Sequence, residues 1–125
     1  MTPSKPPSGA PPGVPSAPTE EGPPGSTHPF HVRVDADLED LVPGYLDNKR
    51  KDVERIREGL ERSDLAALSV LGHSIAGSGG TYGFPGLTRI GRLIEHAAKA
   101  GDLEAVRQAM GELESYLRRV VVEYT

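Results

Sequence analysis

Proline is the residue that most limits what this chain can fold into, and its placement divides the sequence in two. Ten of the 12 prolines fall within residues 1–29. Only Pro43 and Pro85 remain, and proline is tolerated in the first turn of a helix but not inside one. The first 29 residues also hold just three charged side chains, Lys5, Glu20 and Glu21, and almost nothing apolar. Such a stretch cannot bury enough surface to offset its ordering entropy, so residues 1–29 are predicted to be a disordered Pro/Gly-rich tail or linker. Its PxxP spacings, such as Pro3–Pro6 and Pro12–Pro15, arise from proline density alone and read as solvated tether. Residues 30–125 keep all but one of the 14 Lys and Arg and all but two of the 18 Asp and Glu. They form one small, mildly acidic domain with room for a single core.

That domain reads as helix throughout. A short first helix is expected after Asp35 or Asp37, either of which can cap it. A second starts around Pro43 and buries Val42, Tyr45, Leu46, Val53, Ile56 and Leu60, with Lys49-Arg50-Lys51 as a solvated face. Ser63 or Asp64 caps a third, whose core side is Leu65, Leu68, Leu71 and Ile75. Gly83-Phe84-Pro85 breaks the chain, with Tyr82 and Phe84 packing at the break. A fourth helix buries Leu87, Ile90, Ile94 and Ala97, Gly101 ends it, and Asp102 caps the fifth. In the fifth, Leu103, Val106, Met110, Leu113, Leu117, Val120 and Tyr124 alternate spacings of three and four. Two- to four-residue loops imply antiparallel neighbours. The predicted fold is all-α: an antiparallel up-down four-helix bundle with a short extra helix in front.

Several functions are excluded by composition. There is no Cys, hence no disulfide, thiolate metal site or cysteine nucleophile. No run of about 18 apolar residues could cross a membrane, and the N-terminus lacks the apolar stretch of a secretory signal, so a cytoplasmic location is expected. A net charge of −4 argues against nucleic acid. No phosphate loop, metal triad or Ser/His/Asp set is present, and His28 and His31 have no third ligand nearby. No metal and no cofactor is expected.

The third helix carries the chemistry. At 100° per residue, His73 lies roughly 160° from the core direction, so its imidazole points outward. Around it the wheel places Ala66, Ser69, Ala76, Gly77 and Gly80, with Val70 and Ser74 at the border. A solvent face ordinarily carries Glu, Lys or Arg, whereas this one is stripped of side chains. Each glycine costs roughly 1 kcal/mol relative to Ala in a helix. A chain that keeps Gly77, Gly79 and Gly80 beside one exposed imidazole leaves room for something to come close. Imidazole is a neutral nucleophile near pH 7. It can accept a phosphoryl group as a labile phosphoramidate and return it, provided another protein's active site can close over the ring.

The run Leu71-Gly72-His73-Ser74-Ile75-Ala76-Gly77-Ser78-Gly79-Gly80-Thr81-Tyr82-Gly83-Phe84-Pro85 resembles the signature of histidine phosphotransfer (HPt) domains. That signature is His, two variable residues, Lys, Gly, Ser, then small residues up to a Gly at the break. Leu93-Ile94-Glu95 resembles the family's downstream element on the next helix, and the likeness covers about residues 33–122. It implies a phosphorelay intermediate, phosphorylated on His73 by a histidine kinase or a receiver domain. It also implies that Glu95 faces the imidazole Nδ1–H and leaves Nε2 as the nucleophile. The small residues Ala66, Ser69, Val70, Ala76, Gly77 and Gly80 become the docking surface for a response-regulator receiver. One position departs from the pattern: the family's Lys, three residues after the His, is Ala76 here. Arg92 or Arg89 on the following helix is the candidate replacement for phosphate stabilisation. The expectation is a monomeric phosphocarrier rather than an enzyme. The competing reading is an HPt-like module that docks a receiver or kinase domain without accepting phosphate.

Overall fold

The computed structural model describes residues 29–125, so the expected tail, but for Pro29, lies outside the described residues. The chain runs β1 (Phe30–Val34), a 3-10 turn (Ala36–Leu38), α1 (Val42–Arg62), α2 (Leu65–Tyr82), α3 (Pro85–Lys99), α4 (Leu103–Arg119) and β2 (Val120–Tyr124). Each helix packs against the two beside it, with α4 closing back on α1. No helix among the described residues is long and apolar enough to cross a membrane.

The helix ends sit where local chemistry puts them. Pro43 and Pro85 occupy the first turns of α1 and α3. Asp64 caps α2 by accepting from the Ala67 amide at 3.1 Å, and Asp102 caps α4 by accepting from Ala105 at 3.0 Å. Gly83 (φ 86°) and Gly101 (φ 74°) take the left-handed conformation that reverses the chain after α2 and α3. Helix α2 continues through its glycines to Tyr82.

Two expected helical segments are different. The short first helix is only a single 3-10 turn, capped by Asp35 accepting from the Asp37 amide. The fifth helix stops at Arg119, and Val120–Tyr124 is a strand paired in parallel with Phe30–Val34, Val32 opposite Val122 and Val34 opposite Tyr124. Val120 and Tyr124 are four apart, a spacing that suits one helix face and one strand face equally. The β-branched run Val120-Val121-Val122 decides for strand. The bundle itself serves as the long crossover that parallel pairing requires.

The core fills the predicted α1 stripe and most of the others: Ile56, Leu68, Ile75, Phe84, Leu87, Ile94 and Leu113 have no exposed surface. Leu65 is exposed and Leu71 only half-buried, because the inward side of α2 is turned toward Gly72 and Gly79. Ala97 is half-buried, with Ala98 taking the core position beside it. Lys49 is not on a solvated face. It is buried, bonded to Asp52 at 2.7 Å, and its ammonium lies 5.1 Å from the Tyr45 ring centre. Tyr45 stacks on Tyr82 at 4.2 Å and shares a 2.9 Å hydrogen bond with Ser78, which fastens α1 to the far end of α2.

The closest packing is between α2 and α3. A Cβ placed on Gly72 would lie 2.5 Å from the Glu95 amide nitrogen and 2.7 Å from the Gly91 carbonyl oxygen. One placed on Gly91 would collide with the Ala76 backbone, and one on Gly79 would lie 2.8 Å from the Thr88 nitrogen. The contacts rise along α2 as they fall along α3, so the two run antiparallel with their backbones touching. Gly77, by contrast, has nothing within 4 Å of such a Cβ. Gly72→Ala is therefore expected to destabilise the domain by about 1–3 kcal/mol through overpacking. Gly77→Ala should stabilise it by about 0.5–1 kcal/mol. Urea denaturation of both variants measures this, and equal effects would contradict it.

Candidate functional site

Helix α2 presents His73 to solvent, with 79% of its side chain exposed. The outward orientation follows from the neighbours: Gly72 and Ile75 are buried on the inner side, leaving position 73 facing away. Because Gly72 has no side chain, the Glu95 backbone lies directly against α2 one residue from His73. From there the Glu95 side chain needs only to extend along the helix pair. Its Oε2 lies 3.3 Å from His73 Nδ1. The Glu95 side chain is only 14% exposed, so its carboxylate is sheltered while the imidazole above it is open. Thr88 adds a second tie between the helices by donating from Oγ1 to the Ala76 carbonyl at 3.1 Å.

A third group completes the cluster. Lys99, one turn beyond Glu95 on α3, donates from Nζ to the same Oε2 at 2.9 Å. This ammonium holds the Glu95 carboxyl below the usual carboxylate range; partial burial opposes the shift, and His73 contributes less to it. The arrangement is an ionised carboxylate facing Nδ1. It favours the tautomer with the proton on Nδ1 and the lone pair on Nε2.

The remaining residues singled out in the sequence fall around this centre in two groups. Ala66 and Val70, the latter 69% exposed, line a shallow depression on the α1 side with Arg55, Glu58 and Arg62. Gly80 and Arg92 line an open groove of about 640 Å³ on the α3 side, with Gly79, Thr88, Leu93 and His96. Neither hollow is lined by His73 or Glu95. Ser69 and Ala76 are half-buried, and Gly77 and Ser74 are exposed. Arg92 is exposed, whereas Arg89 is tied to Glu112 on α4 at 3.0 Å. Of the other described histidines, His31 lies 2.8 Å from Glu123 across the strand pair, and His96 is exposed on the groove wall. No cluster of three or more potential metal ligands occurs among the described residues.

Sequence reasoning passed over two contributors. Lys99 follows Glu95 by four residues, the spacing and order of a favourable helix pair, and that signal was legible. Gly91 lies between Ile90 and Ile94 on an otherwise apolar face, which marks a close backbone approach.

No curated protein and no solved structure matches the chain. The family model described as "Hpt domain" matches residues 40–122, which takes in all four helices, His73 and Glu95. With that match over about two thirds of its length, the chain belongs to the Hpt domain family of two-component phosphorelays.

Proposed function

We propose that the domain is a phosphorelay intermediate that carries a phosphoryl group on His73 Nε2 between a histidine kinase and receiver-domain aspartates. The observation that carries this reading is the open imidazole whose Nδ1 faces a sheltered carboxylate. With the proton held on Nδ1, the Nε2 lone pair attacks phosphorus. The Nε2–P bond forms as the P–O bond of the donor acyl phosphate breaks, and the donor carboxylate leaves with the electron pair. The ring becomes a phosphoimidazolium, and Glu95 stabilises its positive charge. In the onward step a receiver carboxylate attacks phosphorus and the electron pair returns to Nε2. No base is needed and the domain has no turnover of its own, so it is substrate and carrier rather than enzyme.

The surroundings favour such an encounter. Gly77 and Gly80 are exposed and leave low ground beside the imidazole, where a partner's active site can approach. A side chain at Gly77 would meet nothing, so no close approach within the bundle requires glycine there. Ala66, Ser69, Val70 and Ala76 extend this small-residue surface as the docking face. A cation that replaces the family's lysine at position 76 has to come from a neighbouring helix, and α3, whose Gly91 packs on Ala76, carries Arg89, Arg92 and Lys99.

His73→Gln is expected to keep the helical circular dichroism spectrum and abolish labelling by an active kinase or a phosphorylated receiver. Mass measurement under alkaline conditions, where phosphohistidine survives, checks this. Label on His28, His31 or His96 would overturn the assignment. Alanine at position 76 favours a second reading, a module that docks receivers without accepting phosphate. Ala76 is half-buried, so a lysine there can lay its stem over the surface and keep its ammonium in water. A partly exposed charge contact is worth about 1 kcal/mol. Ala76→Lys should therefore speed transfer by at most about one order of magnitude in rapid-quench kinetics. Transfer that is absent in the wild type and appears in Ala76→Lys would establish the docking module instead.

A further inference from the structure

We infer that Lys99 supplies, from α3, the cation that meets the phosphoryl group on His73. The inference rests on the phosphocarrier reading above and concerns which residue completes that site. A phosphoryl group on Nε2 brings roughly two negative charges to an exposed ring, and the α2 position one turn from His73 offers only a methyl group. Of the basic residues on α3, Arg89 is engaged with Glu112, and Arg92 lines a groove that neither His73 nor Glu95 enters. Lys99 is the one whose charged atom the structure fixes at the imidazole cluster. Its Nζ and His73 Nδ1 contact the same carboxylate oxygen, at 2.9 and 3.3 Å.

Among the described short-range ion pairs, this one has a carboxylate that also faces a histidine, whereas the sheltered Asp52 binds Lys49 and Arg55 on its own helix. Arg50–Asp47, Arg57–Glu54 and Arg107–Glu104 each join an arginine to a carboxylate that is at least 67% exposed, and none of those carboxylates faces a histidine. Glu95 is sheltered, and it reaches across to another helix. Lys99 itself is 62% exposed. An ammonium has three donors on a flexible four-carbon stem. It can keep one N–H on Glu95 while another donates to a phosphoryl oxygen. Glu95 then has two roles: it faces Nδ1 of the ring and parks the cation beside it until the phosphoryl group arrives.

The test uses the intact chain and two donors. Phosphoramidate needs no partner protein: the Nε2–P bond forms as its P–N bond breaks and ammonia leaves. A phosphorylated receiver is the second donor. Lys99→Met is expected to slow His73 labelling by both donors about fivefold, with unchanged circular dichroism. Lys99→Arg should retain most of the rate, and Arg107→Met, which removes an exposed arginine on α4, should leave phosphoramidate labelling unchanged. In the Lys99→Met background, Ala76→Lys should restore the rate, and by a larger factor than it changes the wild type. Equal labelling of wild type and Lys99→Met by phosphoramidate would overturn the assignment while leaving the phosphocarrier reading intact. A loss in Arg92→Met in place of Lys99→Met would do the same. Labelling by phosphoramidate with the expected Lys99 dependence, but none from kinases or receivers, would support Lys99 and overturn the relay. No labelling of His73 by either donor would overturn both.

Discussion

The contact between the backbones of α2 and α3 at Gly72 and Gly91 is the constraint on which the pairing of His73 with Glu95 depends. Helices separated by ordinary side chains sit 8–10 Å apart. Here the absence of two Cβ atoms lets main chain meet main chain, and the Glu95 backbone comes to rest beside Gly72. A glutamate is short, and from a helix held further off it could not reach the imidazole of His73. The distance of 3.3 Å between Nδ1 and Oε2 thus originates in glycines that belong to neither residue. The rest of the core is built differently. Phe84, Tyr116, Ile56 and Leu113 are fully or almost fully buried, so large side chains supply the stability that the close glycine seam does not.

Glycine serves two unrelated ends within one helix. Gly72 and Gly79 are buried and face backbone, so any side chain there would push α3 away. Gly77 and Gly80 face outward, and their lack of side chain lowers the surface around the imidazole. The first pair sets the geometry of the site and the second its accessibility. Both draw on the same conformational liability. Helix α2 is able to carry it because α3 packs along it and Tyr45 fastens its end through Tyr82 and Ser78.

The helical frame was legible because its punctuation is chemical: Pro43, Asp64, Pro85 and Asp102 each have a reason to stand at a helix start, and each does. The ends of the domain were not. Val120 and Tyr124 satisfy helical and strand periods alike, and the pairing that settles the matter comes from Val32 and Val34 at the other end of the sequence. Lys49 looked solvated because it sits between Arg50 and other charges. Its burial depends on Asp52 and the Tyr45 face, a local arrangement that charge counting does not see. At the site, the exposure of His73 followed from periodicity alone. The approach of Glu95 came from family likeness, since no property of one helix reports how near the next will lie. The seam glycines were visible as residues, but their partners across the helix pair were not.

The parallel pairing of β1 with β2 also bears on the order in which the domain assembles and comes apart. Every helix–helix contact joins segments linked by a short turn or by the bundle's own length, whereas Phe30 and Val120 meet across 90 residues. Closing so long a loop carries an entropy cost that is recovered only after the helices have brought its ends together. The strand pair is thus expected to form last in folding and, with only five residues on each side, to open first. Helices α2 and α3 gain their contact from neighbours in sequence and do not wait for that closure. The expected first opening step is therefore an unzipping of the strands that leaves the seam between α2 and α3 intact. Amide exchange along β1 and β2 reports this opening separately from global unfolding.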